Sequence, residues 1–325
     1  MPAAFSVDSE PSDSALSIMM TSRASFRQGF GLARRARSAA WILLLVNLGL
    51  AALAALPIYR GILRFTSDSK MSQELASGSV VDWLTDFSFN NPGSLYRYGQ
   101  VMIAVGLISL LVNAVLSGGV LSRFQLAEED RPAGSVVGVF FRGAGRYAWR
   151  MVRLMIIGLI CYWIVFRLFD QALGGFIDKR TADWLDDRSV FWVRLAWGAL
   201  VAVGVCFVNV VMDYARVKLV MEDDASAVYA FLGSLGFALG RLRRSITVWA
   251  FPSLCGVALL GIYRVLIPWG LVNADAAAPV GSWSNIREPL TLALLFVAQQ
   301  AVMFGRYWFR VATWASEWSY YSGSR

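Results

Sequence analysis

The chain has 325 residues, a formal net charge of +8 and no histidine. With 57% apolar residues, 16% charged residues and a mean hydropathy of +0.53, it is too apolar for an ordinary soluble domain. The missing histidine excludes Ser-His-Asp and Cys-His catalysis and His-based zinc or haem sites within the chain.

Residues 1–22 are rich in Ser, Asp and Pro and read as a disordered tail. Asp8, Glu10 and Asp13 set the tail apart from an acid-poor mitochondrial presequence. A bilayer core about 30 Å thick needs roughly 20 residues of helix. Six stretches meet or approach that length, at about 40–59, 101–121, 151–168, 190–213, 246–264 and 289–305. The first ends in small residues around Ala51 and Ala55, like a secretory signal, but its lead is long for an n-region and its charge flanks suit a retained helix. After it, 66–87 carries a partial apolar face through Met71, Leu75, Val80, Val81, Trp83 and Leu84, which predicts a surface helix. The turn Asn90-Asn91-Pro92-Gly93 then returns the chain to the second stretch.

The third stretch is the shortest, with only 154–166 lying between Arg153 and Arg167, and both arginines can snorkel to the headgroups. A second outer surface helix is predicted over 173–185. Trp41, Trp149, Trp249, Trp269 and Trp308 fall near stretch ends, where an amphipathic indole prefers to sit. Between the fourth and fifth stretches, 225–240 has no charge over 16 residues. At 1.5 Å per residue such a helix reaches only about 24 Å, so it must lie in the interface or dip partway into the membrane.

Charge separates the gaps into two classes. The amino-terminal region, the gaps after the second and fourth stretches and the tail hold 19 Lys/Arg against 11 Asp/Glu, whereas the other three gaps hold 11 against 11. The whole excess therefore falls in alternate gaps, as the positive-inside rule predicts for six spans with both termini in the cytoplasm. The expected fold is an all-α membrane protein, with a single six-span domain over 23–321 and short interfacial or re-entrant helices in the cytoplasmic loops. Residues 306–325 are expected as an aromatic and basic cytoplasmic helix and tail. The simplest address is the bacterial cytoplasmic (inner) membrane.

The order of parts repeats. Leu111-Val112-Asn113 precedes Glu128-Glu129-Asp130, a short apolar segment, and then Arg142, Arg146, Arg150 and Arg153. Phe207-Val208-Asn209 precedes Glu222-Asp223-Asp224, the apolar segment 225–240, and then Arg241, Arg243 and Arg244. Gln299-Gln300 followed by Arg306 and Arg310 repeats only the opening. Three hairpins in a parallel repeat would account for this order. The acidic triplets are expected to cap and complement the helices that follow them, with Asp224 or Ser226 as the second cap and Asp130 before Pro132 as the first. The arginines, with Arg216, are candidates for contact with anionic lipid, each contributing on the order of 1 kcal/mol.

Cys161, Cys206 and Cys255 lie inside apolar stretches and imply no disulfide framework. A thiolate metal site would need a fourth ligand, and no cofactor is expected. Asp170, Asp213 and Glu288 sit at stretch ends, so no carboxylate pair reaches mid-membrane for proton relay or intramembrane proteolysis. The intramembrane polar groups are the amides Asn47, Asn113, Asn209, Gln299 and Gln300. They suit either interhelical hydrogen bonds or a polar ligand path. Basic residues dispersed along membrane edges do not suit nucleic acid.

The run from Asp213 to Asp223, with Ser226, Ala230, Ser234, Phe237 and Arg241 to Arg244 after it, resembles a signature of bacterial integral-membrane proteins. These proteins are related to the glycerophosphoryl diester phosphodiesterase membrane domain. The likeness covers about 45 residues, and the six-span layout more loosely. It implies the membrane part alone, because the phosphodiesterase of that family is a separate soluble barrel and no stretch here is long enough to hold one. The leading functional expectation is a non-enzymatic module that binds or helps to move lipid or an amphipathic substrate at the cytoplasmic leaflet, with anionic phospholipid as partner. A structural subunit docking a membrane-protein partner or a second copy through the aromatic tail 314–321 is the alternative. An enzyme using Glu222, Asp223 and Asp224 is the third reading.

Overall fold

The computed structural model describes residues 22–66, 80–128, 135–181, 186–275 and 287–324. The expected disordered tail up to residue 21, much of the expected surface helix 66–87, and Glu129, Asp130 and Pro132 lie outside the described residues. Within them the regular structure is helical: α1 (Ser22–Arg35), α2 (Arg37–Thr66), α3 (Val80–Asn90), α4 (Ser94–Glu128), α5 (Val136–Phe166), α6 (Gly175–Thr181), α7 (Asp187–Met221), α8 (Ala227–Gly240), α9 (Leu242–Asp275) and α10 (Arg287–Ser322). A π-helical segment, Arg167–Gly174, joins α5 to α6, so part of the second expected outer helix continues directly from a span.

Helices suit this sequence because a backbone in hydrocarbon has no water to bond and must satisfy its polar groups internally. Five helices are long and apolar enough to cross a membrane, over Arg37–Gly61, Ser94–Glu128, Val136–Phe169, Arg188–Met221 and Leu242–Val265, and the chain is a multi-pass membrane protein. They contain the first five expected spans. The sixth expected span, 289–305, lies inside the unbroken helix α10. The turn before α4 forms as the sequence predicts, with Gly93 at φ 78°, a conformation that glycine adopts without Cβ strain.

The two copies of the sequence echo fold differently. The apolar segment of the first gap is not a separate helix but the opening of α5. Phe140, Ala144, Tyr147, Met151 and Leu154 are all buried, a stripe at i, i+4, i+7, i+11 and i+14 that runs through the expected boundary and holds one helix together. In the second copy α8 ends at Gly240, and Arg241 leaves the helical region at φ −133°, ψ 36° before α9 begins. The Ser226 hydroxyl caps α8 by accepting from Tyr229 N–H at 3.3 Å. Ser226→Ala is expected to cost about 1 kcal/mol of local stability. Faster amide exchange over 230–233, with α7 unchanged, would register that loss.

The helices contribute to two compact units, one with described residues from Met1–Arg35, Ile156–Pro252 and Ala312–Arg325, the other from Ala36–Met155 and Ser253–Val311. In the first unit, α8 packs on α7 through a stripe of small residues, Ala227, Ala230, Ser234 and Ala238, all buried. Its larger apolar side chains, Val228, Tyr229, Leu232 and Leu239, face outward at 56–61% exposure. A soluble helix would bury these and expose the small residues. The carboxy-terminal part of α10 is core and not an exposed tail, since every residue from 312 to 321 is buried. Gly29 of α1 sits so close to it that a Cβ there would come within 2.5 Å of Ser316 Cα.

In the second unit, α4 and α5 approach closely at glycine, because a Cβ on Gly119 would lie 2.7 Å from the Phe140 carbonyl oxygen. Gly143 meets Ser122 in the same way. The three cysteines are free thiols, and Cys206 faces outward instead of filling a core.

Candidate functional site

Two carboxylates, Asp213 and Glu317, are fully buried in the first unit, and three side chains converge on Asp213. Asp213, near the end of α7, is fully buried. Its Oδ1 accepts from Arg216 Nη1 at 2.6 Å and from the Trp314 indole N–H at 3.0 Å, and its Oδ2 accepts from the Trp249 indole N–H at 3.2 Å. Arg216 also lies over the Trp314 ring, 6.0 Å from its centroid. One buried acid thereby joins α7, α9 and α10, and its charge is balanced by a guanidinium that itself lies mostly out of solvent. Beside it, Tyr214, Phe237, Tyr320 and Tyr321 form an aromatic cluster with centroid separations of 5.1–6.4 Å.

The acidic triplet closes the end of α7. Asp223 adopts φ 50°, Asp224 N–H donates to Leu219 O at 3.1 Å, and Asp223 N–H donates to Val220 O at 3.4 Å, a Schellman-type ending. Glu222 accepts from the Tyr321 hydroxyl at 2.6 Å and lies 3.8 Å from Lys218. Lys218 is 4.5 Å from the Tyr229 ring centroid. Of the two caps expected for α8, Ser226 is the one that forms, and the expectation of an acidic cap is corrected, because the main chain of 222–224 terminates the helix before it. In the first gap, Glu128 is exposed at the end of α4.

A groove of about 960 Å³ lies between α1 and the start of α9, within the same unit. Phe26 and Phe30 of α1 and Phe251 of α9 form its apolar wall, with the Phe26 and Phe251 rings 5.0 Å apart. Arg27 and Arg34 line it from α1 and are exposed. Seven residues apart, they stand on one helix face, two turns or about 10 Å from each other. Among the described residues neither guanidinium has a hydrogen-bond or ion-pair partner. Thr247 lines the groove, and exposed Arg243 and Arg244 precede it by one turn on α9. An aromatic wall beside exposed guanidinium groups suits an anionic amphiphile, because the guanidinium fork matches phosphate or carboxylate oxygens while the rings cover an apolar chain.

The other expected contacts are spread over both units. Arg241 lies over the Phe237 ring at 5.0 Å. Burial pushes the Tyr320 phenol up, with Arg241 and then Arg244 acting against it. In the second unit, Arg146 and Arg150 flank the Tyr147 ring at 5.4 and 5.6 Å, and Arg142 is exposed one turn earlier on α5. Asn47 and Asn113 bond each other reciprocally at 3.0 and 2.8 Å, and Asn209 accepts from the Tyr162 hydroxyl at 2.8 Å. Gln299 and Gln300 have no such partner among the described residues. No cluster of three metal-ligating side chains forms among the described residues.

Sequence reasoning missed Arg27, Arg34, Phe26 and Phe30. Their signal is the amphipathic spacing of α1, with Phe at i and i+4 beside Arg at i+1 and i+8. It also left Asp213, Trp249 and Trp314 unconnected, because their partnership spans 36 and 101 residues of chain. Compared with known proteins, the chain matches no family model, no curated protein and no solved structure.

Proposed function

We propose that this chain is a non-enzymatic protein of the bacterial cytoplasmic membrane that binds, and helps to move, an anionic phospholipid or related amphiphile at the cytoplasmic leaflet. In this reading the chain has six spans with both termini inside, and it shares with the phosphodiesterase-related family only the membrane part. The observation that carries it is the groove between α1 and α9, where Arg27 and Arg34, without a hydrogen-bond or ion-pair partner among the described residues, stand against Phe26, Phe30 and Phe251. The outward apolar face of α8 adds to it, since a leaflet is the medium in which Val228, Tyr229, Leu232 and Leu239 are better placed outside than in.

Two observations favour this reading over a scaffold or an enzyme. The aromatic tail that would dock a partner is buried within the chain, and in the acidic triplet the main-chain N–H groups close α7 while the Glu222 carboxylate accepts from Tyr321.

Native mass spectrometry from nanodiscs of phosphatidylglycerol mixed with phosphatidylcholine tests the proposal. The Arg27→Glu/Arg34→Glu chain is expected to lose retained phosphatidylglycerol by about tenfold or more, each charge near the leaflet contributing on the order of 1 kcal/mol. Arg243→Glu/Arg244→Glu should lower it further. Unchanged retention in correctly inserted variants would remove the lipid reading.

A further inference from the structure

A second cavity, of about 380 Å³, lies within the other unit, between α2, α4 and α10. That volume falls in the range of small-ligand pockets. Contact between the Trp41 and Phe304 rings, 4.3 Å apart, fixes how α10 lies along α2. At one end the lining is apolar, from Ala54, Met102 and Val105. Toward Trp41 it turns polar, through Asn47, Ser109, Gln299 and Gln300, and Tyr307 lies beyond them.

The asparagines are satisfied. Asn47 donates to Leu43 O and Asn113, and Asn113 donates to Asn47 and to Ser109 O and Oγ. The glutamines differ. Each carboxamide offers two donors and an acceptor, and among the described residues neither is engaged. Unpaired amides are costly in hydrocarbon, and leucine would fill the same positions without that cost. Gln299, Gln300, Met303 and Tyr307 recur at helical spacing, so one face of α10 supplies all of them. Arg306 acts on Tyr307, partly offsetting the upward push that burial gives its phenol, and Arg306 itself faces outward.

We infer that this cavity holds one acyl chain of a glycerolipid, with the ester carbonyl accepting hydrogen bonds from Gln299 and Gln300, the chain running toward Ala54 and Met102, and the head toward Tyr307 and Arg306. The inference rests on the lipid-handling reading above and adds the chemistry of the linkage. An ether-linked phospholipid with the same chains and head lacks the carbonyl, and so separates recognition of the linkage from recognition of charge.

The experiment is native mass spectrometry of the full chain from nanodiscs holding ester- and ether-linked phosphatidylglycerol in equal amounts. The ester lipid is expected to be retained about fivefold or more over the ether lipid, the yield of one or two hydrogen bonds. Gln299→Leu/Gln300→Leu should erase that preference while retention governed by Arg27 and Arg34 stays. Gly106→Leu is a second variant, because a Cβ on Gly106, which lines the cavity, meets nothing within 4 Å. It should lower ester-lipid retention by filling the space. Equal retention of the two lipids, or a preference that survives the glutamine substitutions, overturns the inference. Anionic lipid retained without distinction between ester and ether would do so while leaving the groove reading in place.

Discussion

Asp213→Ala is expected to destabilise the protein by about 3–5 kcal/mol, the cost of breaking a buried ion pair and leaving its partners behind. The substitution would remove the fully buried carboxylate to which the Arg216 guanidinium and the indole N–H groups of Trp249 and Trp314 now donate. Asp213→Asn keeps a carbonyl oxygen to accept from an indole but gives up the charge that holds Arg216, so its effect should be smaller and of the same sign. Thermal unfolding in detergent, followed by tryptophan fluorescence, reports directly on the two indoles involved. A shift within about 0.5 kcal/mol for Asp213→Ala would mean that the centre does not anchor these helices.

Deleting 312–325 is expected to be more damaging still and to abolish recovery of folded protein. Trp314, Trp318, Tyr320 and Tyr321 are all buried, and each large side chain contributes about 2 kcal/mol by burial. Their sum, on the order of 8 kcal/mol, is comparable with a typical net stability of about 5–15 kcal/mol. The deletion also removes the Trp314 bond to Asp213, the Tyr321 bond to Glu222 and the surface against which Gly29 packs. Size-exclusion profiles and amide-exchange protection of α7 and α8 would decide it. A truncated chain with normal yield and undiminished protection of α7 would show that the carboxy-terminal helix is dispensable.

The lipid-facing parts of the protein were more legible than its polar centre. The same apolar run that marks a span also makes the helix, so 40–59 or 101–121 could be read without knowing a neighbour. The amides Asn47, Asn113 and Asn209 were recognisable as polar groups inside spans, but their partners could not be named, because Asn113 lies 66 residues from Asn47 and Tyr162 lies 47 from Asn209. Trp249 was legible only as an indole near a span end. In the structure it is a donor to Asp213, a role set by a carboxylate on another helix. Trp41 and Trp149 face outward, at 51% and 67% exposure, but Trp149 lies well inside α5 and not near its end.

By itself the sequence determined that the chain is helical and where five helices long and apolar enough to cross a membrane fall, because in hydrocarbon each segment must satisfy its own backbone and a long apolar run is sufficient to do so. Only the tertiary structure decided which short segments merge with spans, which acid becomes the core and whether the aromatic end is surface or interior. Those outcomes depend on packing between residues far apart in the chain. The stripe from Phe140 to Leu154 keeps α5 whole where the echo predicts a break, and the helices around Ala312, Trp314 and Trp318 convert a Trp- and Tyr-rich end into core. A local pattern can specify a helix, but burial is a property of what surrounds it.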